Sequence, residues 1–322
     1  VGSEMCIRDR HKNVNGIAMF SVIFPGQGSQ SVGMCKEFYE KHNLVKQIYK
    51  NADDILKINL SKLILEGPSN ELNKTENTQP AIFLVSYAIF ELFHKEFGFN
   101  LNKINFFAGH SLGEYTAITC SGALKFEDTL KLLKVRGQSM QNAVPEGQGG
   151  MLAILGSNYQ TIKSILEENE KDFNCFIAND NSDMQIVVSG YNSDLNKLNI
   201  YLNSQKIKNI KLQVSAPFHC KLMQKATLVM KNEIEKVKFE NLKVPFISNV
   251  TANIVNDKNL IPNLLIKQIE SPVLWRDSIK FILNNNISKF IEIGPGKVLS
   301  NLIKRIDRNI KVSAINNEED IK

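Results

Sequence analysis

The sequence predicts an α/β protein in which a parallel sheet is covered by helices on both faces and a small subdomain is inserted into the main domain. Three observations predict this class. Short apolar runs of strand length alternate with longer stretches of helical period along most of the 322 residues. A glycine-bounded turn, Gly109-His110-Ser111-Leu112-Gly113, joins one such run to a helix start. Between residues 147 and 213 the order becomes β-α-β-β-α-β, which is that of a ferredoxin-like unit.

The elements follow in order. Residues 1–18 have no apolar period, and their acidic residues argue against a targeting peptide, so this stretch is expected to be a non-native or disordered leader before a natural start at Met19. Met19–Phe24 reads as a strand, Pro25–Gln30 as a loop, and Lys36–Leu65 as helical. After the break at Gly67-Pro68, Thr78-Gln79-Pro80 is expected to open a buried helix that runs to Phe97. Ile104–Ala108 is a strand feeding the turn at Ser111, and Phe126-Glu127-Asp128 opens a helix containing Leu130, Leu133, Arg136 and Met140. The inserted unit carries strands at Met151–Leu155, Phe173–Asn179, Gln185–Ser189 and Ile207–Val214, with helices at Tyr159–Asn169 and Asp194–Gln205. The main domain resumes with a helix at Leu222–Lys236, a strand at Pro245–Val250, helices from Leu264 to Leu283 around Ser271-Pro272, and a last strand, Phe290–Ile293, that turns at Gly294-Pro295-Gly296 into a helix. The expected domains are therefore 19–146 with 214–322, and 147–213.

Composition removes several function classes. An apolar share of 43% and a charged share of 22% are those of an ordinary globular protein, not of a disordered or fibrous chain. The longest apolar run, Ala81–Phe90, is too short to cross a bilayer, and no membrane association is expected. Cys6, Cys35, Cys120, Cys175 and Cys220 show no Cys-x-x-Cys spacing, so they read as reduced thiols in a cytoplasmic protein. Cys220 beside His219 is expected to point away from it on an extended segment. The net charge of +6 either steers an acidic or phosphate-bearing partner or reflects lysines that merely solvate the surface. No basic run is interleaved with aromatics, so nucleic acid is not an expected partner. No metal-ligand cluster or dinucleotide fingerprint appears, and no tightly bound cofactor is expected.

The chemistry gathers at Ser111. In a Gly-x-Ser-x-Gly elbow the serine is held at the tip of a strained turn and at a helix N-terminus, where free N–H groups favour developing negative charge. A serine hydroxyl needs a base. His11 lies in the leader, His42 and His94 sit among charged helix residues and read as solvent-exposed, and His110 should be aimed away by the turn. His219, in the proline-fixed loop Ser215-Ala216-Pro217-Phe218-His219-Cys220, is the candidate base, against the alternative of a capping or buried histidine. Arg136 shares an inward stripe with Leu132, Leu133 and Met140, so its guanidinium either snorkels outward or meets an anion. The residues alone leave both readings open.

The motifs Phe24-Pro25-Gly26-Gln27-Gly28-Ser29-Gln30, Gly109–Tyr115, Val135-Arg136-Gly137, Pro217-Phe218-His219-Cys220, Ser271-Pro272-Val273-Leu274-Trp275 and Glu292–Leu299 occur in the order found in malonyl-CoA:acyl carrier protein transacylases, which the chain resembles from Met19 to about Ile306. The resemblance implies an α/β-hydrolase-like large domain and transfer of a malonyl group from malonyl-CoA to the phosphopantetheine thiol of acyl carrier protein, in bacterial fatty acid synthesis, by a protein acting as a monomer. It implies that Ser111 is the nucleophile, His219 its base, and the backbone N–H groups of Gln27 and Leu112 the oxyanion hole. It also implies that Arg136 pairs with the malonyl carboxylate, that the Gln268 backbone carbonyl orients the histidine, and that His110, Phe218, Met140 and Asn179 line the pocket. Three alternatives remain: a free-standing polyketide acyltransferase, a serine thioesterase or esterase using Asp180, Asp183 or Asp194 as its acid, and a non-catalytic carrier-docking module.

Overall fold

Phe20–Phe24 (β1) and Ile104–Gly109 (β2) pair in parallel at the centre of a six-stranded sheet, and residue parity divides their side chains between its two faces. Val22, Phe24 and Phe107 enter the larger core, whereas Ile23, Phe106 and Ala108 enter a second core on the opposite face; Ile104, which precedes a register shift in the pairing, also joins the larger core. Both faces are covered, as a parallel sheet requires. The computed structural model describes residues 19–321, so the expected leader at 1–18 lies outside the described residues.

On one side of β1, Lys289–Ile293 (β9) and then Lys311–Ile315 (β10) extend the sheet in parallel. On the other side, β2 is followed by Phe246–Ile247 (β7) in parallel and by Ile254–Val255 (β8). The expectation of a parallel sheet is corrected at this edge: β8 runs antiparallel to β7. A tight turn with Ala252 N–H on the Ser248 carbonyl reverses the chain there, leaving no room for a crossover. The Pro245–Val250 strand is therefore short, and β8 and β10 are additions to the elements read from the sequence.

The expected helical stretch from Lys36 is broken into Lys36–Lys41 (α1), Asn43–Leu56 (α2) and Leu60–Glu66 (α3), the last capped by Asn59, whose side chain accepts from the Lys62 N–H. A short turn of helix at Ser69–Leu72 (α4) leads into the central helix Thr75–Glu96 (α5). This helix begins one turn earlier than Thr78, so that Pro80 falls in its second turn and costs it one backbone donor. It is apolar nearly all round and packs Phe90 edge-on to Phe24 and Phe107 of the sheet, while Tyr87 stacks on Phe126 at 4.7 Å. Leu112–Cys120 (α6) and Phe126–Gln141 (α7) follow. His42 and His94 correct the expectation of solvent exposure: both are half-buried, His42 against Glu318 and His94 against the Phe99 carbonyl.

Gly149–Leu155 (β3), Cys175–Ser182 (β4), Gln185–Tyr191 (β5) and Asn209–Lys211 (β6) form a second sheet, ordered β4-β5-β3-β6 and antiparallel throughout. Leu152 and Ile154 of β3 pack against Tyr159–Glu168 (α8) and Asn192–Ser204 (α9), and Met151 and Ala153 join the main core. Gln224–Glu235 (α10), Ile261–Gln268 (α11), Trp275–Asn284 (α12) and Val298–Ile306 (α13) complete the helices. The small sheet is tied to the segment between α11 and α12. Asp180 N–H donates to the Val273 carbonyl (2.9 Å), Val273 N–H donates to the Ala178 carbonyl (2.8 Å), and Arg276 bonds Asp180 and Asp183.

Candidate active site

The turn between β2 and α6 closes only around glycine. A Cβ on Gly109 would stand 1.9 Å from the Gly113 carbonyl oxygen, and one on Gly113 would stand 2.3 Å from that of Phe24. Ser111 sits between them at φ 54° and ψ −111°, a strained conformation for a non-glycine residue. Asn249, just beyond β7, fastens the turn: its Oδ1 accepts the Ser111 N–H (2.8 Å) and its Nδ2 donates to the Gly109 carbonyl (2.7 Å).

His219 is brought to this serine by the loop after β6, where it adopts φ 58°. Its Nε2 lies 2.7 Å from Ser111 Oγ and its Nδ1 lies 2.9 Å from the Gln268 backbone oxygen at the end of α11. That oxygen can only accept, so Nδ1 carries the hydrogen and Nε2 is the acceptor for the serine proton. Burial and the charge of Arg136 pull the imidazole down to about 3, which keeps it neutral. Among the described residues no carboxylate bonds the ring. Asp180, one of the acids weighed for a hydrolase, is instead held by Arg276.

Arg136 does not snorkel: it is 1% exposed. Nη1 donates to Gln79 Oε1 (2.8 Å), while Nη2 donates to Gln268 Oε1 (2.8 Å) and reaches Ser111 Oγ at 3.2 Å. The guanidinium lies 5.4 Å from the Tyr115 ring centre, and its Nε finds no hydrogen-bond partner among the described residues. Burial lowers its pKa, but a guanidinium stays charged. A buried cation with unused donor capacity thus borders the serine.

The other expected residues fall into three groups. The backbone N–H groups of Gln27 and Leu112 have no partner among the described residues, and Leu112 begins α6, where the helix dipole is positive. The Gln27 loop adjoins the elbow, since a Cβ on Gly26 would meet the His110 carbonyl at 2.5 Å. His110 turns towards the small sheet, with Nε2 at 2.8 Å from Asn181 Oδ1 and 3.3 Å from Asn179 Nδ2, and its ring lies 5.6 Å from that of Trp275. Burial lowers its pKa. Phe218 is buried, its carbonyl accepting from Ser189 Oγ, and Met140 lies behind Arg136, its sulfur 3.8 Å from Gln79 Nε2. A groove of about 380 Å³ passes His219, Phe176, Lys221, Glu270 and Pro272. Cys220 Sγ donates to the Pro217 carbonyl, and burial pushes the thiol up to about 12. Among the described residues no group of His, Cys, Asp and Glu could hold a metal ion.

Sequence reading missed Asn249, Gln79, Asn181 and the interior role of Glu114. Glu114 ends the elbow motif and is wholly buried. Its position in that motif was the one signal for it.

A sequence model of the acyl transferase domain matches residues 21–317. The malonyl CoA-acyl carrier protein transacylase of Bacillus subtilis strain 168 is 40% identical over 307 residues, covering 95% of this chain and 96% of the relative. Its counterpart in Salmonella typhimurium is 37% identical over 93% of this chain and 96% of that protein. Among solved structures, the malonyl CoA-acyl carrier protein transacylase of Coxiella burnetii superposes with a TM-score of 0.90 at 39% identity, covering 94% of this chain and 96% of that one. With a family model across most of its length and relatives of this identity, the chain belongs to the acyl transferase family, among the malonyl CoA-acyl carrier protein transacylases.

Proposed function

We propose that the protein transfers a malonyl group from malonyl-CoA to the phosphopantetheine thiol of acyl carrier protein by a ping-pong route through a malonyl ester on Ser111, supplying fatty acid elongation. One observation carries the specificity: Arg136 Nη2 is 3.2 Å from Ser111 Oγ, in a buried site where its Nε lacks a partner. An acyl group ending in a carboxylate supplies the missing acceptor, and a neutral one does not.

In the first half-reaction His219 Nε2 takes the Ser111 proton as Oγ attacks the thioester carbonyl. The Gln27 and Leu112 N–H groups receive the oxyanion, each such donor being worth about 3 kcal/mol of transition-state stabilisation. Nδ1 remains bonded to the Gln268 carbonyl, which orients the ring through its charged state without a carboxylate. The protonated histidine hands its proton to the departing CoA thiolate. In the second half-reaction the same nitrogen deprotonates the carrier thiol, which attacks the serine ester and releases Ser111. Phe218, Met140, His110 and Asn179 shape the acyl pocket.

The surrounding assignments belong to the same reading. Residues 147–213 form an inserted ferredoxin-like subdomain, supported by the β4-β5-β3-β6 order, and 19–146 with 214–322 form the α/β-hydrolase-like domain, supported by the elbow at the end of β2. Buried free thiols at Cys120, Cys175 and Cys220 accord with a cytoplasmic enzyme. No tightly bound cofactor is required by this chemistry. A carrier of polyketide synthesis is the second reading, because a relative 34% identical to this chain has been solved with a type II polyketide acyl carrier protein.

Transfer and hydrolysis of malonyl-CoA, measured with and without pantetheinylated carrier protein, test the proposal. Carrier-dependent release of CoA with little free malonate is expected. Equal release without carrier identifies a thioesterase, and preference between fatty acid and polyketide carriers assigns the pathway.

A further inference from the structure

Glu114 is a fully buried carboxylate for which the transfer steps above have no use. It lies in the first turn of α6, directly behind the serine. Both of its oxygens face N–H donors: Oε1 accepts from the Asn249 backbone N–H and Oε2 from the Gln268 side-chain amide, each at 2.7 Å. With a donor at each oxygen there is no acceptor for a carboxyl proton, so the ionised form is the one the geometry accommodates. Burial nonetheless raises its pKa to about 8, the two N–H donors and the Arg136 charge only partly offsetting the rise, and it is the donor at each oxygen that favours the ionised form.

The consequence lies in which way the Gln268 amide points. The two ends of a glutamine amide have nearly the same shape, and only their partners decide the orientation. Gln268 Nε2 is directed at Glu114, the Ser111 carbonyl (3.0 Å) and Asn249 Oδ1 (3.2 Å), which leaves Oε1 to accept from Arg136 Nη2 at 2.8 Å. Gln268 also presents its backbone oxygen to His219, and Asn249, whose N–H Glu114 accepts, holds the Ser111 N–H. One carboxylate therefore backs the residues that hold the base, the nucleophile and the buried cation.

We infer that Glu114 is a positioning residue that fixes the orientation of the Gln268 amide, thereby aims Arg136, and so sets the preference for acyl groups that end in a carboxylate. This rests on the function proposed above. In E114Q the carbonyl end of the new amide is claimed by the fixed Asn249 N–H, and its NH2 faces Gln268. Gln268 must then turn over to accept, placing its own NH2 against the guanidinium. Arg136 loses an acceptor and gains a competing donor.

The test measures kcat and KM for malonyl-CoA and acetyl-CoA in wild type, E114Q, Q268A and the double variant, with circular dichroism to confirm folding. Q268A removes the amide and keeps the backbone carbonyl on His219. E114Q is expected to lower the malonyl-over-acetyl preference by about tenfold, the worth of one hydrogen bond to a charged group, mostly through KM for malonyl-CoA. Q268A should lower it by a similar factor. Adding E114Q to Q268A should change the preference no further, since the amide through which Glu114 acts is gone. A wild-type preference in E114Q, or an undiminished effect of E114Q in the Q268A background, overturns the inference. If E114Q does not fold, Q268A decides alone, and a wild-type preference there is contrary to it. A wild-type protein with no malonyl preference overturns the proposed function itself and this inference with it.

Discussion

Arg136 Nη2 lies 3.2 Å from the Ser111 hydroxyl oxygen, so a buried cation and the proposed nucleophile share one space. Ser111 donates its proton towards His219 while accepting from Arg136, and an acyl group carried on that oxygen extends beside the guanidinium.

Replacing Arg136 with alanine should therefore reverse the discrimination. Malonyl transfer is expected to fall by roughly 10- to 100-fold, the worth of a hydrogen-bonded charge pair, while acetyl transfer improves relative to it. Competition between malonyl-CoA and acetyl-CoA for the R136A enzyme reads the ratio directly, and an unchanged ratio would remove Arg136 from substrate recognition.

The elbow glycines should tolerate no side chain. G109A and G113A place a Cβ 1.9 Å and 2.3 Å from backbone carbonyl atoms that cannot move away without opening the sheet. Each should cost at least about 3 kcal/mol or prevent folding. Gly98, at φ 68° with open space around it, is the contrast: G98A should cost only about 1 kcal/mol. Urea unfolding of these variants checks the difference, and equal losses would contradict the close packing of the turn.

Acid should destabilise the fold through His219. Its imidazole titrates near 3 in the folded protein against an ordinary 6.5, so the unfolded chain binds one more proton between those values. The stability contributed by the neutral buried ring is full above 6.5 and is lost as pH falls towards 3, by about 1.4 kcal/mol per pH unit. H219Q should show a shallower dependence by one proton across that window, measured by urea unfolding at several pH values. Because Arg136 contributes to the depression, R136A should shift the acid limb of acetyl transfer to higher pH. An H219Q profile parallel to wild type would show that the ring is not buried neutral.

The cysteines should be inert. Cys35, Cys175 and Cys220 are each pushed up to about 12 by burial, and burial also raises Cys120 well above its ordinary value. With Cys6 replaced, a disulfide reagent at neutral pH should find no rapidly reacting thiol until the protein unfolds. Fast labelling of Cys220 with loss of activity would place a thiolate in the site.

Local signals carried much of this arrangement. The strand-turn-helix at Ser111, the proline-fixed loop at His219 and the helical stripe of Arg136 are each read within a few residues of sequence, because glycine, proline and a 3.6-residue period act locally. Their convergence is not local. Arg136 could be placed inside a helix face, but its contact with Ser111 depends on how α7 packs beside α6. The two-residue β8 carries too short a period to register, and Asn249 lies on a loop beyond β7 with nothing nearby to mark it. Its partners, Gly109 and Ser111, stand far back in the chain, so only the folded sheet shows what it holds. The side-chain work of Gln268 was hidden for the same reason: a single amide serves Ser111 and Glu114 at the elbow and Arg136 on α7, all far from it in the chain.

The central claim is that Ser111 carries the malonyl group between its two thiols. Mass spectrometry of the protein after brief exposure to malonyl-CoA, with peptide mapping, should find a malonyl adduct on Ser111 that disappears on addition of pantetheinylated carrier protein and never forms in S111A. An absent adduct, or one that persists in S111A at another residue, would contradict the account.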